Sequence, residues 1–169
     1  MIVIKVAHIS DAVLIADMSR KAFYDTFAEH NTKEDMDKFL STQFTKRQLM
    51  AELGVEGNSF FIAYNDDLPA GYLFLKIETH PALGTDQAIA ISRLYANKLS
   101  IGKGIGKALM TTAIGFAQTA YKDTIWLGVW EHNLRAINFY TSFGFEKFGE
   151  HDFILGDDVQ RDWLMKLSL

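Results

Sequence analysis

Apolar and polar positions along the chain change rhythm several times, and each change marks an element. Ile2–Val6 is a short apolar run predicted as a strand. Leu14, Ile15, Met18, Ala22 and Phe23 then recur at the 3.6-residue period, which predicts an amphipathic helix capped by Ser10 or Asp11. Lys33–Leu40 repeats that period with Met36, Phe39 and Leu40 inward. Thr45 and Gln48 form a capping-box pattern ahead of a third helix through Leu53. Beyond it the period shortens to that of strands. Ser59–Tyr64 and Gly71–Ile77 flank the turn-rich Asn65–Ala70 and predict an antiparallel hairpin. Glu78–Gln87 reads as a loop and Ala88–Ala96 as a strand. Gly102–Gly106 opens a helix to about Tyr121, with Ile105, Leu109, Ala113, Phe116, Ala117 and Ala120 as its buried stripe. Thr124–Trp130 is a strand with Ile125, Leu127 and Val129 on one face and Trp126 and Trp130 on the other. Asn133 starts a helix that stops before Gly144, and Phe145–Phe148, Phe153–Leu155 and Trp163–Leu167 are predicted as closing strands.

This order predicts a mixed sheet with helices on both faces, class α/β or α+β, and a single domain spanning residues 1–169. At 169 residues, with 49% apolar positions and thirteen Phe, the chain can bury a core without disulfides. The absence of Cys removes thiolate catalysis and Cys-based zinc sites, and the five His show no metal-ligand spacing, so no metal is expected. A net charge of -4 argues mildly against nucleic acid and suits a cationic small molecule. No stretch approaches the ~20 apolar residues of a membrane span, and the N-terminal residues lack signal-peptide features. We therefore expect a soluble, cytoplasmic protein with no membrane partner. The oligomeric state stays open, a homodimer included.

The chemistry concentrates at Ser100–Lys107, between a strand and a helix. Three Gly in five residues leave backbone N–H groups free to turn inward, the helix start adds unpaired donors and a favourable dipole, and Lys103 and Lys107 add charge. A phosphate or pyrophosphate is the natural guest, a plain Gly-rich turn the alternative. A Walker loop is excluded because Ala108 follows Gly106-Lys107 and Ile101 stands at the first Gly position. Lys107 likewise occupies the third Gly of a dinucleotide fingerprint.

Ile101-Gly102-Lys103-Gly104-Ile105-Gly106-Lys107-Ala108-Leu109 resembles the acetyl-CoA loop of the GNAT N-acetyltransferases, Gln/Arg-x-x-Gly-x-Gly/Ala, with Ile101 in the Gln/Arg position. Asn133, Ala136, Phe139-Tyr140 and Gly144-Phe145 resemble the family's Asn-x-x-Ala-x-x-Phe-Tyr-x-x-x-Gly-Phe block. Ala22–Phe27, Ile125–Glu131 and Gly156-Asp157-Asp158 are similar to the PaiA-type spermine/spermidine acetyltransferases within that superfamily. The resemblance implies a GNAT-like, mostly antiparallel mixed sheet and acetyl-CoA as cosubstrate. It implies cofactor contacts from Leu94, Tyr95, Ala96, Gly102, Lys103, Gly104, Ile105, Gly106, Lys107 and Asn133, and an amine acceptor such as spermidine.

An amine with a pKa near ~10.4 must lose a proton before it attacks a thioester, at a cost of roughly 4–5 kcal/mol at pH 7. The resemblance sets Tyr140 beside the CoA sulfur as the acid that protonates the leaving thiolate, the alternative being a core tyrosine. Asn133 fits an ordinary helix N-cap as well as a cofactor contact. Relatives often carry the base as Glu on the strand before the loop, where this chain has Ala90 and Ser92. Asp25, Glu29, Glu131, His132 or a relayed water remain. Tyr24, Asp25 and Glu131 are the expected acceptor contacts. Two other readings stay open: another amine, aminoglycoside, amino acid or protein N-terminus as acceptor, or a CoA-binding sensor without turnover.

Overall fold

A computed structural model describes residues 1–169. Seven strands form one sheet: β1 (Ile2–Val6), β2 (Asn58–Asn65), β3 (Leu68–Lys76), β4 (Ala88–Ala96), β5 (Thr124–Trp130), β6 (Glu146–Leu155) and β7 (Asp158–Ser168). Their order across the sheet is β1-β2-β3-β4-β5-β7-β6. Every neighbouring pair is antiparallel except β4–β5, which is parallel. The helices are α1 (Ala12–Phe27), α2 (Lys33–Thr42), α3 (Lys46–Leu53), α4 (Ile105–Thr119) and α5 (Leu134–Ser142). No helix is long and apolar enough to cross a membrane.

Strand alternation sends successive side chains to opposite faces, and both faces are covered. Phe61, Ala63, Leu73 and Leu75 join Ile89, Ile91, Ile125 and Leu127 under α4 and α5. Phe60, Ile62, Tyr72 and Phe74 point the other way, against Ile15, Ala16 and Leu49 of α1 and α3. Double coverage is why β3 reads as a continuous apolar run instead of an alternating one. In α4, Ile105 and Leu109 of the expected stripe and Met110 beside them are fully enclosed, each contributing about 1.5–3 kcal/mol by burial.

The caps explain where the helices begin. Thr32 accepts the Asp35 N–H at 3.1 Å, and Thr45 and Gln48 complete their reciprocal box at 3.2 and 3.1 Å. Asp11 occupies the α1 cap position but turns back to accept the His8 N–H at 2.8 Å, closing a preceding 3-10 turn.

Two expectations change. The hairpin loop shrinks from Asn65–Ala70 to Asp66-Asp67, both at positive φ (49° and 64°), the backbone of a two-residue primed turn. Pro69 thereby enters β3 beside a register irregularity at Ala63/Tyr64, where a missing N–H is tolerated. Phe145–Phe148 and Phe153–Leu155 are not separate strands either. β6 runs unbroken through Gly149–Asp152, with its irregularity between Lys147 and Gly149. As an edge strand it tolerates the polar Glu150-His151-Asp152 facing water.

Candidate active site

The site opens where the one parallel pair separates. β4 and β5 pair from Ala88↔Thr124 to Ile91↔Leu127 and no further, although β4 continues to Ala96 and β5 to Trp130. At the parting point Ser92 is an extra residue in β4, since Arg93 pairs with Phe74 while Ile91 pairs with Leu75. A bulge bends and twists its strand, so the sheet splits into a V. The β5-facing edge of Ser92–Ala96 is left without a strand partner, ready to pair with an extended ligand.

A cleft of about 720 Å³ fills the V, within the usual range for small-molecule sites. At one end lies the glycine loop. Gly102 and Gly104 sit at φ of 78° and 86°, a region L side chains rarely adopt. A Cβ on Gly102 would meet nothing within 4 Å, so backbone conformation and not crowding dictates glycine there. Gly106 is a different case: a Cβ would come within 3.3 Å of the Phe139 ring. Gly104 is the α4 N-cap and offers no side chain to the first-turn N–H groups, and no acidic residue stands in that turn. Those donors therefore face the cleft uncapped, with Lys98, Lys107 and Arg135 also lining it. This is a built anion cradle.

The opposite wall is α5. Asn133 accepts the Ala136 N–H at 3.2 Å, so it caps the helix while lining the cleft. Tyr140, 8% exposed, is about two turns further on and reaches two cavities. Besides the cleft it lines an inner chamber of about 280 Å³ on the α1 side of the V. Burial pushes its phenol up to about 12, which keeps the proton on the oxygen at neutral pH, the state a proton donor needs.

Aromatic rings wall the inner chamber. Phe23, Phe27, Phe44 and Phe153 line it with Trp130. Phe23 stacks on Phe27 at 4.5 Å, and Phe27 meets Trp130 at 4.8 Å. Trp130 is fixed by its indole N–H donating to Gln160 Oε1 at 2.8 Å. Arg93 stands between the Phe44 and Phe74 rings and pairs with Glu52 at 2.6 Å. Its charge is thereby neutralised beneath the chamber. Asp162 of β7 is the sole carboxylate of the lining.

Residues 18–145 match the acetyltransferase (GNAT) family model, and the chain is 38% identical over an alignment of 169 residues, covering 98% of each protein, to an uncharacterized N-acetyltransferase of Lactobacillus delbrueckii subsp. lactis. The chain belongs to the GNAT acetyltransferase family. It is an N-acetyltransferase. A spermine/spermidine N(1)-acetyltransferase of Bacillus subtilis (strain 168) is 36% identical over 64 residues, 37% of this chain and 42% of that one. The PaiA N-acetyltransferase of Thermoplasma acidophilum, crystallised in complex with coenzyme A, shares the fold at a TM-score of 0.81 over 100% and 99% of the two chains, with 21% identity.

Within this GNAT fold, Leu94, Tyr95, Ala96, Gly102, Gly104, Ile105, Gly106, Lys107, Asn133 and Tyr140 come together around the one cleft. Lys103 does not line it. Its N–H bonds back to the Ser100 carbonyl at 3.2 Å. Asp25 lines the cleft, paired with Lys21 at 2.9 Å, and stands beside Tyr95, whose phenol burial and that carboxylate push up to about 12. Tyr24 is 57% exposed and lines neither cavity. Glu131 also lines neither, facing His132 at 3.6 Å. Sequence reasoning missed Lys98, Arg135 and the inner chamber. The one signal for the chamber was Gly128, which interrupts the apolar run of β5.

Proposed function

We propose that the chain, as one domain over residues 1–169, transfers the acetyl group of acetyl-CoA to a primary amine, with a polyamine such as spermidine as acceptor. The observation that carries this reading is the V between β4 and β5, at which the glycine cradle, an unpartnered strand edge and a protonated buried phenol share one cleft. In this reading the pyrophosphate lies on the N–H groups of Gly102 and Gly104–Lys107 and the pantetheine arm runs along Leu94–Ala96 like an added strand. The thioester carbonyl accepts a backbone N–H of that strand, and the Tyr140 hydroxyl protonates the departing sulfur.

The acceptor enters from the inner chamber. Two carboxylates, Asp25 in the cleft and Asp162 in the chamber, line cavities that share Thr26, Tyr95 and Trp130. Separated anions with aromatic faces between them suit a chain bearing cations at intervals, each cation–π contact adding about 0.5–2 kcal/mol. The partial likeness to a spermine/spermidine acetyltransferase supports the same acceptor. A comparison of kcat/KM for spermidine and for butylamine tests it, with spermidine favoured. Equal values would remove the polyamine and leave amine acetylation standing.

A further inference from the structure

Acetyl transfer to an amine needs a proton acceptor, and the carboxylates expected from the sequence are poorly set for it. Asp25 is held by Lys21, and Glu131 lines neither cavity. Asp162 is placed differently. It lines the inner chamber together with Tyr140. Strand register sets it opposite Trp130 on β5 and opposite His151 on β6. Its nearest cationic partner is His151, with Nε2 3.9 Å from Oδ2, beyond hydrogen-bond reach. Gly128 lies two residues before Trp130 on the same face. A Cβ there would approach Asp162 Oδ2 to 3.4 Å and His151 Cε1 to 3.3 Å. Glycine at 128 therefore leaves free the space beside this carboxylate and the His151 ring.

We propose that Asp162, whose side chain is 18% exposed, is the general base of the transfer and passes the acceptor's proton to solvent. The inference rests on the acetyl-transfer reading above. The acceptor ammonium loses one proton to the Asp162 carboxylate. The freed lone pair forms the N–C bond to the thioester carbon, and the C–S bond breaks. Tyr140 gives its proton to the sulfur, and the second proton leaving the nitrogen restores the phenol. One proton is released overall, from Asp162 to solvent.

The groups facing the chamber set the pH behaviour. They are Arg93 and Tyr95 from β4, Tyr72 from β3 and Tyr140 from α5, while α1 contributes only neutral side chains; His151 of β6 does not line the chamber but faces Asp162 itself. Burial holds the Asp162 carboxyl above its ordinary value, and the His151 charge pulls it back down. The base is active above its own titration, so kcat/KM rises with pH through that point.

The test is the pH profile of kcat/KM with acetyl-CoA and spermidine for wild type, Asp162→Asn, Asp162→Glu and His151→Gln, with acetyl-CoA affinity measured by calorimetry. Asp162→Asn is expected to lower kcat about 10²–10⁴-fold, to lose the acid limb, and to keep its acetyl-CoA affinity. Asp162→Glu restores part of the rate. His151→Gln, at a half-exposed position that folding tolerates, moves the acid limb to higher pH because a positive charge is lost. An Asp162→Asn enzyme with wild-type kcat overturns the proposal. So does an acid limb that His151→Gln leaves in place, which decides the matter even if the Asp162 variants do not fold. Wild-type enzyme that acetylates no amine would be read before any variant and would remove the parent reading, and this inference with it.

Discussion

The proposed cofactor side and the proposed acceptor side of this enzyme are built in opposite ways. The cofactor side comes from two short stretches, Leu94–Lys107 and Asn133–Tyr140, and its working parts are mostly backbone: uncapped N–H groups, positive-φ glycines and an unpaired strand edge. The acceptor chamber draws Phe23, Phe44, Tyr72, Arg93, Trp130, Phe153 and Asp162 from seven separate elements or turns, and its working parts are side chains. A group common to a whole family is served by local geometry that a short motif encodes. An acceptor that varies is served by long-range packing that no short motif encodes.

The strongest way to break this division is at Tyr140, one of the residues that line both cavities. Tyr140→Phe removes only a hydroxyl and should lower kcat by about 10²–10⁴-fold, with the Kd for acetyl-CoA unchanged by calorimetry. An unchanged kcat where chemistry limits the rate would return Tyr140 to the core.

Gly104→Asp tests the cofactor side alone. It forces an L residue into φ of 86° and sets a carboxylate at the anion cradle. Acetyl-CoA should bind about 100-fold more weakly, roughly 2.7 kcal/mol, in a protein that still folds. Unaltered affinity in a folded variant would dislodge the loop assignment.

The buried phenols predict a pH dependence of stability. Tyr140 and Tyr95 both have folded values near 12 against an ordinary 10.0. Above pH 10 the unfolded chain gives up these protons while the folded chain keeps them, so stability is complete below pH 10 and falls as pH rises to about 12. Urea midpoints measured across pH 9–11.5 should decline, and less steeply in Tyr140→Phe. A parallel decline in both proteins would mean that Tyr140 is not desolvated as described.

Asp25→Asn is the smallest change and belongs to the acceptor side. The Asp25–Lys21 pair is partly exposed, and such pairs contribute about 0–1 kcal/mol. A several-fold rise in KM for spermidine with little change for butylamine is expected in steady-state assays. Equal shifts for both amines would take Asp25 out of acceptor recognition.

The same division explains what the sequence disclosed. Gly102–Gly106, the Asn133 cap and the Thr45/Gln48 box were legible because each is settled within a few residues. The unbroken β6 was not, because only its place at the sheet edge lets Glu150-His151-Asp152 remain in a strand. Asp25 and Tyr24 are adjacent in α1, yet a helix turns about 100° per residue. One lines the cleft and the other faces water, a distinction that composition within the Phe23–Phe27 run does not carry. Asp162 was illegible because its neighbours Gly128 and His151 reach it through strand pairing, across tens of residues in one case.

The most direct test of the central claim follows free CoA thiol and acetylated amine together, in wild-type protein given acetyl-CoA with and without spermidine or other primary amines. Acetyl transfer predicts thiol release that depends on the amine and equals the acetylamine formed. Protein that binds acetyl-CoA yet releases no thiol with any amine would contradict the account and leave a CoA-binding protein without turnover.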